Sequence, residues 1–289
     1  MKTADLFKKK TVFSFEVFPP KKTSSIDTIY STVEQLKELK PDFISVTYGA
    51  GGSENNKKTL DIASNIKNHY GIESVAHLTC IYLTKQDVLK MLGEFNAAGI
   101  KNIMALRGDI NPDYTPKDDF KYASDLVSFI KENGDFGVLG GCYPEGHFES
   151  ASIVDDIHNL KKKVDAGVSH LVTQLFFDNA HFYRFRERAA IAGINVPIEA
   201  GIMPVTNKKQ IERMVTLCKV ELPHKFLTMM NRYENSPEAM RDAGIAYAID
   251  QIVDLITQGV DGIHLYTMNN PYIAHRIHEA VRSLIEYKG

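Results

Sequence analysis

S-V-A-H-L-T-C (74–80), I-Y-L-T-K-Q-D-V-L-K-M-L-G-E-F-N-A-A-G-I-K (81–101) and N-I-M-A-L-R (102–107) follow one another, and their order decides the fold. A short apolar run, a segment with Val88, Leu92 and Phe95 at helical spacing, and a second apolar run spell strand, helix, strand. The same rhythm continues outward in both directions. Strands are expected at Val12–Phe18, Asp42–Tyr48, Ser74–Cys80, Asn102–Arg107, Gly137–Tyr143, His170–Phe177, Pro197–Met203 and Gly262–Met268. Helical spacing recurs between them, in Ile29, Val33, Leu36 and Leu39 and again in Ile245, Ile249, Ile252 and Ile256. Several strands are apolar throughout, as in a parallel sheet covered on both faces, and eight βα units match a (β/α)8 TIM barrel. A doubly wound open sheet is the rival. The barrel is favoured because no Pro/Gly/Ser-rich linker divides the chain and because polar residues gather where strands end. An extra segment, Leu222–Tyr233, precedes a long helical stretch, Ser236–Thr257, so the region after the seventh strand is expected to be elaborated.

Composition narrows the function classes. The chain has 289 residues, 44% of them apolar and 24% charged, which suits an ordinary globular core and excludes a fibrous or disordered chain. Length divided by about 150 residues would give two domains, but α/β barrels of about 250 residues form one, so a single domain over 1–289 is expected. With 34 basic against 36 acidic side chains there is no phosphate-neutralising surface, and nucleic acid is not an expected partner. No apolar run reaches about 18 residues and the amino terminus lacks a signal-peptide pattern, so no membrane is expected and the cytoplasm is the expected location. Cys80, Cys142 and Cys218 are odd in number, far apart and outside any C-x-x-C pair, which indicates neither a disulfide framework nor a metal site.

In a barrel, chemistry is built where strands meet the loops that follow them. The polar residues there are Glu16, Thr47-Tyr48, His77, Arg107-Gly108-Asp109, Tyr143 to His147, Thr173-Gln174 and Tyr266-Thr267. Glu16 stands amid Phe13, Phe15, Val17 and Phe18, where loss of hydration would raise its pKa into the range of a general acid. The residues alone leave a second reading open, a barrel glutamate satisfied by a neighbouring Arg or Lys. Arg107-Gly108-Asp109 suits an anionic or polarised ligand edge, or equally a loop salt bridge. Gly49-x-Gly51-Gly52 follows a strand, but Glu54 stands where a dinucleotide fingerprint needs its third glycine, and no P-loop occurs. His275-x-x-His278 has ligand-like spacing without a carboxylate partner and is expected on a helix surface. Lys161-Lys162-Lys163 is a solvated helix face or a source of charge for a phosphate. A nucleophilic serine lacks its G-x-S-x-G elbow, and no expected strand core carries a Schiff-base lysine.

Ten motifs then occur in order: F-S-F-E-V-F-P-P, S-V-T-Y-G-A, A-H-L-T-C, A-L-R-G-D, Y-A-S-D-L, Y-P-E-G-H, K-V-D-A-G, T-Q-L-F-F-D, G-I-M-P-V and H-L-Y-T-M-N. Together, from Val12 to at least Ile285, they resemble the bacterial-type methylenetetrahydrofolate reductases. The resemblance implies a barrel holding FAD and a ping-pong reaction. NADH or NADPH reduces the flavin, which then reduces 5,10-methylenetetrahydrofolate to 5-methyltetrahydrofolate, the methyl donor for methionine synthesis. It implies Glu16 as the acid that protonates the folate and opens its five-membered ring, and Asp109 as a catalytic carboxylate between the flavin and the pterin. It implies a flavin site of Thr47, Tyr48, Ala50, His77, Arg107, Gly108, Asp109, Ala123, Tyr143, His147, Asp156, Asn159, Lys162 and Lys163. Substrate contacts fall to Asp109, Gln174 and Gln210.

Departures from the family pattern are few. Lys162 stands where an arginine is common, keeping charge but losing the bidentate fork, and Ser150 stands where some relatives have alanine. Asn270 occupies the place of an arginine near the substrate, and Met214 that of a phenylalanine. A homo-oligomer is expected, and regulation by an appended domain is not. Two rival readings are another FAD-dependent barrel oxidoreductase and a non-catalytic barrel subunit of a one-carbon or methyltransferase system. The joint presence of Glu16, Asp109 and Gln174 argues against the second.

Overall fold

The computed structural model describes residues 1–20, 24–48 and 53–287. Eight parallel strands pair in chain order and close into a barrel: β1 (Val12–Val17), β2 (Phe43–Val46), β3 (Glu73–Thr79), β4 (Asn102–Leu106), β5 (Gly137–Cys142), β6 (His170–Thr173), β7 (Ile198–Ile202) and β8 (Gly262–Tyr266). Pairing of β8 with β1, Phe15 beside Leu265 and Glu16 beside Tyr266, excludes the open sheet. All eight expected strands are present. The sixth is shorter than expected because Leu175 and Phe177 leave the sheet for a separate apolar cluster.

Around the barrel run α1 (Asp27–Leu36), α2 (Ser53–Asn68), α3 (Lys85–Ala97), α4 (Ala123–Asn133), α5 (Ile153–Asp165), α6 (Asn179–Ile191), α7 (Lys208–Cys218), α8 (His224–Tyr233), α9 (Pro237–Thr257) and α10 (Pro271–Ile285). Side-chain oxygens of Thr84, Ser152, Asp178, Asn207, Ser236 and Asn270 accept first-turn N–H groups and so fix where α3, α5, α6, α7, α9 and α10 begin. Asn270, the departure from an arginine, is thus a helix cap. No helix among the described residues is long and apolar enough to cross a membrane.

Period-two alternation sorts each strand between two environments. On β1, Phe13, Phe15 and Val17 face outward into the layer shared with Ile29, Val33 and Leu36 of α1 and Ile273, Ile277 and Val281 of α10. Each such side chain contributes about 1.5–3 kcal/mol, and a slip of one residue would forfeit all three, so the facing of β1 is strongly specified. Inward, Val12, Phe43, Val75, Met104, Leu139 and Val172 form an apolar floor onto which Leu6 and Phe7 pack from the amino terminus. The extra segment expected after β7, Leu222–Tyr233, holds α8, which joins α7 over the strand ends. Together α7 and α8 cover Leu175, Phe177, Met203, Val205, Ile211, Val220, Phe226, Met230 and Met240, with Phe177 and Phe226 stacked at 4.6 Å.

At the top of the lumen Tyr266 Oη donates to the carbonyl of Thr173 at 2.6 Å, reaching from β8 across β7 to β6. Gly201 of β7 leaves the space for it, since a Cβ there would lie 2.3 Å from Thr173 O and 2.6 Å from Tyr266 Oη. Gly201→Ala is therefore expected to cost about 1–3 kcal/mol through overpacking. Urea unfolding measures it, and an unchanged midpoint would show that the tyrosine bridge yields freely.

Candidate active site

The carboxyl ends of the strands bring Glu16, Thr47, His77, Arg107, Tyr143, Gln174 and Tyr266 to one mouth. Glu16 is the last lumenal residue of β1, its side chain 20% exposed, with Oε2 3.6 Å from His77 Nε2 and 3.7 Å from His264 Nε2. Its backbone is pinned by Thr267, whose Oγ1 donates to Glu16 O at 2.7 Å, and by Asn269, whose Nδ2 donates to Phe18 O at 2.8 Å. The phenylalanine surroundings expected for Glu16 are not there. Alternation turns Phe13 and Phe15 to the opposite face, so two imidazoles and a tyrosine are what the carboxyl meets.

His77 is buried, and burial pushes its imidazole down to about 4 against the opposing pull of Glu16. It is neutral at pH 7, and among the described residues no Arg or Lys pairs with Glu16, against the satisfied-glutamate reading of the sequence. Its Nε2 is buried with no hydrogen-bond partner among the described residues. Buried polar atoms are rarely left so, and one at the mouth of a barrel is suited to meet a ligand.

Beneath Glu16 lies a polar chain that the sequence reading did not assign. His264 Nδ1 is 2.6 Å from Ser14 Oγ and its Nε2 is 3.2 Å from Ser45 Oγ. Ser14 Oγ lies 2.8 Å from Glu199 Oε1, and Glu199 Oε2 lies 3.7 Å from His170 Nε2. All five residues are buried. Burial pushes the Glu199 carboxyl up to about 7 and the His170 imidazole down to about 3. The signal was available, since Ser14 stands two residues before Glu16 and His264 two before Tyr266, in strands otherwise apolar.

The expected flavin residues gather on the β3 to β5 side of the mouth. Arg107 follows β4 and makes a bidentate pair with Glu149, one arm at 2.9 Å, the strong geometry for guanidinium and carboxylate. Gly108 turns in the left-handed region at φ 92°, and Asp109 beyond it is exposed, its charge acting on Arg107, Tyr143 and Cys218. Tyr143 packs edge-on against His147 at 4.5 Å, and burial with the Asp109 charge pushes its hydroxyl pKa up. Asp156 of α5 accepts from Ser150 Oγ at 3.0 Å, so the serine found in place of alanine caps the loop onto the helix. Lys163 is more enclosed than its place in a lysine run implies: Nζ donates to Gly141 O at 2.7 Å, and burial lowers its pKa. Lys162 and Asn159 are exposed on α5, Ala123 is half-buried at the start of α4, and Thr47 and Tyr48 are half-buried after β2. Ala50 and the glycine cluster around it lie outside the described residues.

Gln174 leads out of β6 and folds back so that its Oε1 accepts from Leu175 N at 2.9 Å. Gln210 lies on α7, where its Oε1 accepts from Thr206 N at 3.1 Å and Met214 follows one turn later, half-buried on the apolar cluster. Of the histidines expected on the α10 surface, His278 is instead partly covered, packed on Phe13 at 5.6 Å, because the aromatic face of β1 extends to that helix.

His170 offers a test of the buried chain. Its pKa falls on folding, so the unfolded chain binds the extra proton between about 3 and the ordinary histidine value near 6.5, and stability is lost as pH falls through that window. His170→Leu removes the effect. Between pH 6.5 and 4.5 the stability of the variant relative to the parent is expected to rise by about 2 kcal/mol in urea titrations. A constant difference would show that the imidazole is not held neutral.

Three comparisons bear on what this mouth is for. The family model of methylenetetrahydrofolate reductase matches residues 2–282. The chain is 40% identical over 264 residues to the 5,10-methylenetetrahydrofolate reductase of Pectobacterium carotovorum, covering 91% of this chain and 88% of that one. The enzyme of the same name from Escherichia coli is 38% identical over the same shares. Methylenetetrahydrofolate reductase (NADH) 1 of Arabidopsis thaliana is 36% identical over 276 residues, 90% of this chain and 46% of the plant protein. Among solved structures, an uncharacterized Clostridium thermocellum protein that binds two copies of 5-methyl-5,6,7,8-tetrahydrofolic acid superposes with a TM-score of 0.65 at 13% identity, over 96% of this chain and 97% of that one, a likeness of fold. A family match that begins before β1 and ends within α10 takes in the whole barrel together with Glu16 and its imidazole partners: the chain belongs to the methylenetetrahydrofolate reductase family.

Proposed function

We propose that this chain reduces 5,10-methylenetetrahydrofolate to 5-methyltetrahydrofolate, with NADH or NADPH as donor and FAD as the bound carrier. The observation that carries the reading is the position of Glu16, a carboxyl at the mouth of a family barrel, between two imidazoles and open to solvent on one side. The methylene carbon of the substrate bridges two amine nitrogens. Expelling one as a neutral amine requires a proton, and the second nitrogen then holds the carbon as an electrophilic iminium. Glu16 is the acid placed to supply that proton, an effect worth typically 10²–10⁴ in rate.

The residues present suit a flavin. The unpartnered Nε2 of His77 faces the mouth, Tyr143 and His147 give an aromatic wall, and Arg107 and Lys163 bring cationic groups to the same rim, with Lys162 exposed on α5. These residues, with Thr47, Tyr48, Gly108, Asp109, Ala123, Asp156 and Asn159, would hold it. When bound, FAD supplies a two-electron carrier between donor and folate, chemistry that no side chain here can provide. Gln174 at the end of β6 and Gln210 on α7 are assigned to the folate. Asp109, exposed between the two sectors, is assigned to the boundary between flavin and pterin.

Anaerobic stopped-flow separates the roles. Flavin bleaching by each nicotinamide reports the first half-reaction, and recovery of colour on adding methylenetetrahydrofolate reports the second. Glu16→Gln is expected to slow the second by about 10²–10⁴-fold while leaving the first within a few-fold. Equal losses in both half-reactions would remove Glu16 as the acid, and protein that is reduced but never reoxidised by the folate would overturn the assigned substrate.

A further inference from the structure

The reading of Glu16 as proton donor leaves the chain beneath it without a role, and the inference drawn here rests on that reading. Glu199 is wholly enclosed by the lumen. The groups that face it are Ser14 from β1, His264 from β8 through that serine, and His170 from β6, while Asp42 ahead of β2 and Asp261 ahead of β8 act on it at longer range. Asp42 is itself paired with Lys10 at 2.6 Å. The hydrogen-bond partner of Glu199 is the Ser14 hydroxyl, and Glu199 Oε2 has none among the described residues. Gly262 makes room for it, since a Cβ there would lie 2.8 Å from Glu199 Cγ.

A serine hydroxyl has a single proton, so the contacts of 2.8 Å to Glu199 and 2.6 Å to His264 Nδ1 cannot both be donated by Ser14. When Glu199 is a carboxylate, Ser14 donates to it, and His264 must carry its proton on Nδ1 to complete the contact. Nε2 then turns a lone pair toward Glu16. When Glu199 is a carboxylic acid, its O–H donates to Ser14, Ser14 donates to Nδ1, and the imidazole proton sits on Nε2, within reach of Ser45 Oγ at 3.2 Å and with Glu16 Oε2 farther off at 3.7 Å. Each arrangement satisfies every contact, and they differ only in direction.

We propose that Glu199 is a positioning residue which, through Ser14, sets the tautomer of His264 and thereby decides whether the ring nitrogen 3.7 Å from Glu16 carries a proton or a lone pair. The acid form of Glu199 is the productive one. It places an Nε2–H opposite the carboxylate that Glu16 becomes after giving up its proton, stabilising that state. Enclosure of Glu199 holds this carboxyl near the point of balance at neutral pH, so the device switches within the physiological range.

Long-range 15N–1H spectra of the histidine-labelled, flavin-loaded protein distinguish the two tautomers, with His264 assigned by its loss in His264→Asn. The Nε2–H form is expected at pH 6 and the Nδ1–H form at pH 8.5. Glu199→Gln removes the titrating proton, so His264 is expected to keep one and the same form at both pH values. The rate of folate-dependent flavin reoxidation, relative to Glu199→Gln, is expected to fall about tenfold in the parent over that range, as the N–H dipole near the Glu16 carboxylate is turned into a lone pair. Ser14→Ala cuts the link and is a second variant should the first fold poorly, its His264 expected not to follow Glu199. A tautomer that is the same in parent and Glu199→Gln at both pH values would overturn the assignment. A tautomer that switches in protein which the folate never reoxidises would uphold the assignment of Glu199 and overturn the proposed substrate.

Discussion

The pairing of β8 with β1 is the constraint on which the rest depends, because closing the sheet gives every strand an inside. With Ser14 beside His264 and Glu16 beside Tyr266, the seam puts a carboxyl, an imidazole, a hydroxyl and a phenol into one lumen. The outward side chains of the same strand, Phe13, Phe15 and Val17, are buried against α1 and α10 and cannot be exchanged for the inward ones without exposing them. Hydrophobic burial outside the barrel therefore fixes where the polar groups inside it stand.

The lumen is stratified. Its floor is apolar, sealed by Leu6 and Phe7, and its middle is a hydrogen-bonded set of Ser14, Ser45, His264 and Glu199. A buried charge is costly, and this interior meets the cost by staying neutral: His77 and His170 are driven to release protons and Glu199 to keep one. Groups with opposite tendencies sit within one chain of contacts, which makes the interior responsive to pH in a way that a layer of valine and leucine would not be.

The mouth divides by chemistry. Its centre, around Glu16, holds groups that exchange protons. Its β4 to α5 rim holds fixed charge, with Arg107 against Glu149 and Lys163 against the Gly141 carbonyl. The α7 and α8 elaboration packs its own apolar cluster over the β6 and β7 ends, so the side where Gln174 and Gln210 stand is built on a second core. Fixed charge on one rim and amides on the other suit two ligands of different character meeting over a central acid.

The strands, the elaborated seventh region, and the residues Glu16, His77, Arg107 and Tyr143 at the mouth were all legible, because hydrophobic period and strand-end position are local properties of a chain. The surroundings of Glu16 were misread for a related reason: Phe13, Phe15 and Val17 are its neighbours along the chain, but alternation makes them strangers in space. Nothing near Glu199 in sequence marks it, and although His264 stands two residues before Tyr266, the shared partner that gives both a role, Ser14, lies 185 and 250 residues away on another strand. The amino-acid order by itself determined that eight βα units form, which of their faces are apolar, and which family the motifs resemble. Only closure of the barrel decided which imidazoles face the carboxyl and that a buried glutamate communicates with it, since hydrogen bonds across a lumen depend on strand register and tilt rather than on any local preference.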